Sequence, residues 1–165
     1  MRRAAVLLLL LLAGCGYRFS GGSLPGGVER LYLPLAVNQT AEPLLENQLA
    51  APVTAVLGRQ KGVVLVESPA KAQAKLLATI LTYEVKPLSY DSNDRISEFQ
   101  SRLLVHFELR QVSDDRLLWQ SELQRLESYR AALDKNLQED NEALAIERLL
   151  RNLADDLIYQ LVSGF

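Results

Sequence analysis

The stretch ISEFQSRLLVHFELRQVSDDRLLWQSELQRLESY, residues 96–129, decides the fold. From Ile96 to Val112 the pattern alternates, with Phe99, Leu103, Val105, Phe107 and Leu109 on one face. Arg102, His106, Glu108 and Arg110 largely fill the other. A period of two places successive side chains on opposite sides of an extended chain, so this is a strand with one buried face. Ser113 to Arg116 supplies turn formers, and Leu117 to Tyr129, carrying Trp119, returns as an antiparallel partner.

The apolar face of this hairpin needs a covering layer, and the C-terminal segment offers one. From about Asp140 to Val162, Ile146, Leu149, Leu150, Leu153, Leu157 and Leu161 form a helical stripe. Glu147, Arg148, Arg151, Asp155 and Asp156 line the opposite side, and Asp140 or Asn141 is placed to cap the start.

Working back from the hairpin, Pro87 to Asp94 reads as a loop and Lys75 to Lys86 as a strand. Leu76 to Leu81 carries apolar groups on both faces, as in a strand covered on both sides. With helices on one face, a partner protein is one candidate cover for the other. Val63 to Val66 is a short strand. Leu45, Leu49, Val53 and Val56 follow helical spacing up to Gly58, with Pro52 expected to kink or shorten that helix. Val28 to Val37 alternates through Leu31, Leu33 and Leu35, and Pro34 marks an edge or an end. The order predicts an α+β class: a two-layer sandwich with a mostly antiparallel sheet of about four strands and two helices on one face.

The 165 residues suit one domain, and the net charge of −2 offers no basic stripe for nucleic acid. At the N-terminus, Arg2 and Arg3 precede the apolar run Val6 to Leu12, which is too short to span a bilayer. Residues 1–14 read as an export signal. Leu12-Ala13-Gly14-Cys15 resembles the bacterial lipobox, with cleavage before Cys15 and acylation of its thiol, the only one in the chain. Gly16 after the cysteine favours outer-membrane sorting, with the body facing the periplasm. Cleavage removes Arg2 and Arg3, so 18 basic residues become 16 against 20 acidic ones, a net −4. Residues 15–27, rich in glycine and serine, read as a lipidated flexible tether, and residues 28–165 as a single domain.

The inventory offers little catalysis. His106 is the only histidine, mid-strand, and one imidazole with scattered carboxylates makes neither a triad nor a metal site. The acid pairs at 114–115, 139–140 and 155–156 sit in turns or on helix surfaces, and no phosphate-binding glycine motif is present. No catalytic residue, metal or cofactor is expected. Lys86, Arg95 and Arg102 flank the loop before the long strand as candidate phosphate contacts. Tyr83, Tyr90 and Trp119 are candidate anchors for a partner protein.

In their order along the chain, four segments resemble the LptE-type lipopolysaccharide-assembly lipoproteins: CGYRF after the lipobox, LYLPLAVNQTAEPLLENQL, SEFQSRLLVHFEL and EDNEALAIERLLRNLADDLIYQLV. The resemblance implies an α/β domain anchored to the outer membrane, seated as a plug in a large β-barrel translocon. It would help that barrel assemble and deliver lipopolysaccharide to the outer leaflet. The resemblance also implies lipopolysaccharide contact through bases near the pre-strand loop and the last helix, which here adds Lys135 to Lys86, Arg95 and Arg102. The loop SYDSND is acidic, so the plug and assembly role transfers more directly than lipid binding. LYLPLAVNQT also resembles the start of lipoproteins that activate peptidoglycan synthases or build secretion pores, an alternative in which the chain pilots another envelope machine.

Overall fold

The computed structural model describes residues 23–163. The expected export signal and Cys15 lie outside the described residues. The strands are β1 (Arg30–Tyr32), β2 (Val37–Asn38), β3 (Val64–Val66), β4 (Ala74–Tyr90), β5 (Ile96–Gln111) and β6 (Leu117–Arg130). The helices are α1 (Leu45–Arg59) and α2 (Lys135–Ser163).

The sheet has six strands, not four, and it is mixed. Its order is β3-β1-β4-β5-β6, with β2 also beside β4. β4, β5 and β6 are antiparallel, whereas β1 pairs in parallel with β3 and β4, and β2 with β4. The parallel part follows from α1: a helical crossover returns the chain to the end from which it left, so β1 and β3 run the same way.

Both helices cover one face. Leu31, Leu76, Ile80, Val105, Phe107 and Leu109 on the sheet meet Leu45, Leu49, Val53 and Leu57 of α1 and Leu149, Leu153, Leu157 and Leu161 of α2. Each buried leucine contributes roughly 1.5–3 kcal/mol. That sum carries Pro52 through α1, which runs on to Arg59 despite the proline. α2 begins five residues before the expected start. Asp134 caps it, its Oδ1 accepting the Leu137 N–H at 2.9 Å.

Two further expectations change. Pro34 ends β1 early, leaving Leu35 exposed. β4 continues past Pro87 to Tyr90, and only the turn at 91–95 is loop. Within the expected tether, Leu24 and Pro25 are buried against the body.

Candidate functional site

Two surfaces are free of the helical layer. The first is the open sheet face, where Lys75, Glu84 and Lys86 of β4 flank Arg102, His106, Glu108 and Arg110 of β5. The alternation that buries one face of β5 puts these groups here. Most are paired with one another. Arg110 donates to Glu108 at 2.7 Å and to the Asp115 carbonyl at 3.1 Å, and Lys75 meets Asp115 at 2.8 Å. Farther along, Glu84 accepts from Lys86 at 2.9 Å and Arg102 at 3.1 Å.

These partners hold the acids below their ordinary range. Arg110 does so for Glu108, Lys75 for Asp115, and Lys86 followed by Arg102 for Glu84. His106 Nε2 lies 3.3 Å from Glu108 and its Nδ1 3.6 Å from Glu122. It is a strand histidine among carboxylates, with Thr79 opposite it on β4. Among the described residues no cluster could hold a metal ion, and no helix is long and apolar enough to cross a membrane.

The second surface is the far end of the hairpin strands, opposite the N-terminal arm. Residues 131–133 leave β6 for α2 with one groove on each side. The larger, about 850 Å³, is lined in part by Arg130, Leu133, Leu137, Leu144 and Arg148. The smaller, about 340 Å³, lies among Arg95, Ile96, Arg130 and Leu133. Leu133 is 90% exposed and Tyr90 61%. Large apolar groups beside three arginines make an amphipathic tip. Such contiguous apolar exposure marks interaction sites.

The predicted residues are divided among these regions. Lys86 and Arg102 share the open face but are engaged by Glu84. Arg95 reaches the tip, where its nearest acid is Asp91 at 3.5 Å. Lys135, on the first turn of α2, pairs with Glu139 at 3.5 Å and lines neither groove. Tyr90 is at the tip. Tyr83 and Trp119 are not on an outer surface with it.

Trp119 packs against the core. Tyr83 donates its hydroxyl to Glu142 of α2 at 3.0 Å and lies 3.4 Å from Ser101, itself fully buried. A register shift between Ile80 and Thr82 is the cause. The extra residue reverses which side chains point inward, so Ile80 and then Tyr83 face the helices. Burial raises the Tyr83 phenol, and burial likewise raises Tyr129, to about 12. Arg130, Arg148 and Leu133 are absent from the sequence-based candidates. Their only sequence signal is Leu133, an apolar residue stranded between strand and helix.

The family model for lipopolysaccharide assembly, LptE, matches residues 28–161. The chain belongs to the LptE family. Its role therefore lies in lipopolysaccharide assembly. Among solved structures similar to this LptE-family chain, uncharacterized lipoprotein B from Nitrosomonas europaea has a TM-score of 0.57 at 17% identity, covering 92% of each chain. Rare lipoprotein B from Shewanella oneidensis gives 0.56 at 12%, over 82% of this chain and 95% of that one. A minor lipoprotein from Acinetobacter baumannii gives 0.51 at 20%, over 82% and 92%. At such identities the likeness is one of fold. A search of the curated proteins finds no match.

Proposed function

We propose that the chain is a non-enzymatic outer-membrane lipoprotein, anchored through Cys15 and facing the periplasm. In this reading it plugs the lumen of a β-barrel translocon, helps that barrel assemble, and takes part in delivering lipopolysaccharide to the outer leaflet. The family match over residues 28–161 carries the reading.

The open face supports it. Barrel interiors are polar, and a surface whose charges are already paired enters one without stranding an ion. The arm at Gly26 sits beside Leu118, at the opposite end from the tip. β5 has 16 residues, so the two ends lie about 50 Å apart. From Cys15 to Leu24 the chain reaches at most about 30 Å. The tip therefore points away from the attachment. Its arginines and leucines suit the phosphates and acyl chains of lipopolysaccharide, with Arg130, which has no ion pair among the described residues, and the exposed Arg95 as the leading cations, and Arg148, held by Glu127, beside them.

Depletion tests the assembly role: folded barrel and surface lipopolysaccharide should both fall, and normal levels of both would overturn it. Detergent co-purification should recover a large β-barrel. Recovery of a peptidoglycan synthase or a secretion ring would instead support the alternative. Cys15→Ser should release a folded body from the membrane, and retention there would show that the partner alone holds it.

A further inference from the structure

The end of the sheet beside the N-terminal arm gathers bases from four separate segments. α1 ends there with Arg59, and Lys61 follows in the turn to β3. That turn is tied to β1, because the Val64 N–H donates to the Glu29 carbonyl at 2.7 Å. Arg30 opens β1 and donates through Nε to the Lys71 carbonyl at 3.1 Å. Gln73, which accepts from the Arg30 N–H at 3.0 Å, lines one small cavity with Gln111 and Arg116. Arg116, in the hairpin turn, donates to Gln111 at 2.8 Å. The five bases thus follow the rim of the sheet from β3 to β6, about 20 Å at the usual spacing of strands.

All five are exposed. Arg30, Arg59, Lys61 and Lys71 have no ion pair among the described residues, and Arg116 reaches Asp114 only at 4.0 Å. The other acid of the hairpin turn, Asp115, is held by Lys75 at 2.8 Å. Glu29 precedes β1 and Glu67 follows β3. Four unpaired bases against these two acids give a local positive excess in a chain whose net charge is −2. The turn at the tip, residues 91–95, has the opposite sign, with Asp91 and Asp94 against Arg95. Val64, 58% exposed, lies opposite Arg30, and Leu117, 39% exposed, follows Arg116. Bases with apolar neighbours at their feet match a headgroup layer, where phosphates meet the ends of acyl chains.

The chain itself says which surface lies opposite. Leu24 is buried in the body, and the stretch from there to Cys15 spans at most about 30 Å. Acyl chains on Cys15 therefore keep this end within reach of the leaflet that holds them. A body seated tip-first in a barrel leaves the same end at the periplasmic mouth, level with those headgroups.

We propose that the rim of Arg30, Arg59, Lys61, Lys71 and Arg116 docks on the anionic headgroups of the leaflet that carries the anchor. The inference rests on the proposed acylation of Cys15 and adds a second, electrostatic contact to it. Each base at an anionic surface strengthens docking about fivefold. The contact fixes which way the body faces, leaving the open face and the tip to the partner.

Vesicles test the docking. The lipidated full chain is reconstituted in phosphatidylcholine alone, or in phosphatidylcholine mixed with phosphatidylglycerol. One dye is placed at Ala70→Cys, beside Lys71, or at Leu133→Cys on the tip; acylated Cys15 takes none. Energy transfer to headgroup-labelled lipid should be strong from position 70 and weak from position 133 when phosphatidylglycerol is present. It should fall at position 70 in phosphatidylcholine alone, and in about 1 M salt, which shortens the reach of charge to about 3 Å. Lys61→Gln with Lys71→Gln should lower the ratio of docked to undocked body about twenty-five-fold, with an unchanged circular dichroism spectrum. A chain that fails to float with pure phosphatidylcholine vesicles would overturn the anchor and the docking with it. A chain that floats, yet transfers equally from both positions or ignores phosphatidylglycerol and the paired substitution, would overturn the docking alone.

Discussion

The two halves of the long hairpin are held by different forces. Toward the N-terminal arm, Phe107, Leu109, Leu76 and Ile80 meet both helices in a dry leucine-rich layer. Toward the tip, polar contacts between the same strands and α2 do much of the holding. Tyr83 bonds Glu142, Arg125 pairs with Asp156, and Arg148 reaches Glu127 at 2.5 Å. Phe99 and Tyr129 stack with ring centres 5.6 Å apart. One half secures the fold. The other leaves its apolar groups exposed around the grooves, as a surface meant for something else requires.

The largest expected effect separates the halves. Phe107→Ala empties the centre of the layer and should cost about 3–5 kcal/mol in denaturant unfolding followed by Trp119 fluorescence. Leu133→Ser, at the 90% exposed tip, should cost less than about 0.5 kcal/mol, since nothing packs on it. Equal losses at both sites would erase the distinction between the halves.

Next comes the polar half. Tyr83→Phe leaves Glu142 and the buried Ser101 with one partner fewer and should cost about 1–2 kcal/mol near neutral pH. The phenols of Tyr83 and Tyr129 are both raised in the fold. Their contribution is whole below the ordinary value of 10 and is lost as pH rises toward and beyond about 12. Stability should therefore fall above pH 10, and less steeply in Tyr83→Phe. Identical alkaline profiles for the two proteins would remove the buried phenol from the account. Asp134→Ala should cost about 1 kcal/mol, with faster amide exchange confined to the first turns of α2.

The same division governs what the sequence discloses. β5, β6 and the leucine stripe of α2 are long and periodic, so alternation and helical spacing expose them. The alternation at 28–37 and the apolar run at 63–66 announce β1 and β3, but β2 has two residues and no period, and the parallel pairing of all three depends on where α1 returns the chain. The cap of α2 is hidden because Leu137 is exposed and leaves no stripe to announce the first turns. Among the aromatic candidates, the bulge near Leu81 reverses the parity of β4 and takes Tyr83 inside, which alternation alone does not disclose. Arg95 is legible as a candidate, but Arg130 and Arg148 escape notice because they lie far from it in the chain and join it only when the hairpin closes on α2.

The smallest effect belongs to the open face, where pairing serves fit more than stability. Arg110 holds Glu108 below its ordinary value of 4.5, so the contribution of this pair is complete above that value and lost as the pH falls through the lowered one. The glutamate is partly exposed and water screens the pair, so its removal should register only as a shallow change. Glu108→Gln should leave unfolding at pH 7 nearly unchanged and flatten the acid limb below about pH 4.5. The same variant leaves Arg110 with Asp115 alone, at 3.5 Å, on a face proposed to meet a polar lumen. It should therefore weaken barrel co-purification more than it weakens the fold. A large loss of stability with normal co-purification would invert the division between the two halves, making the open face a structural element and leaving the partner to the tip.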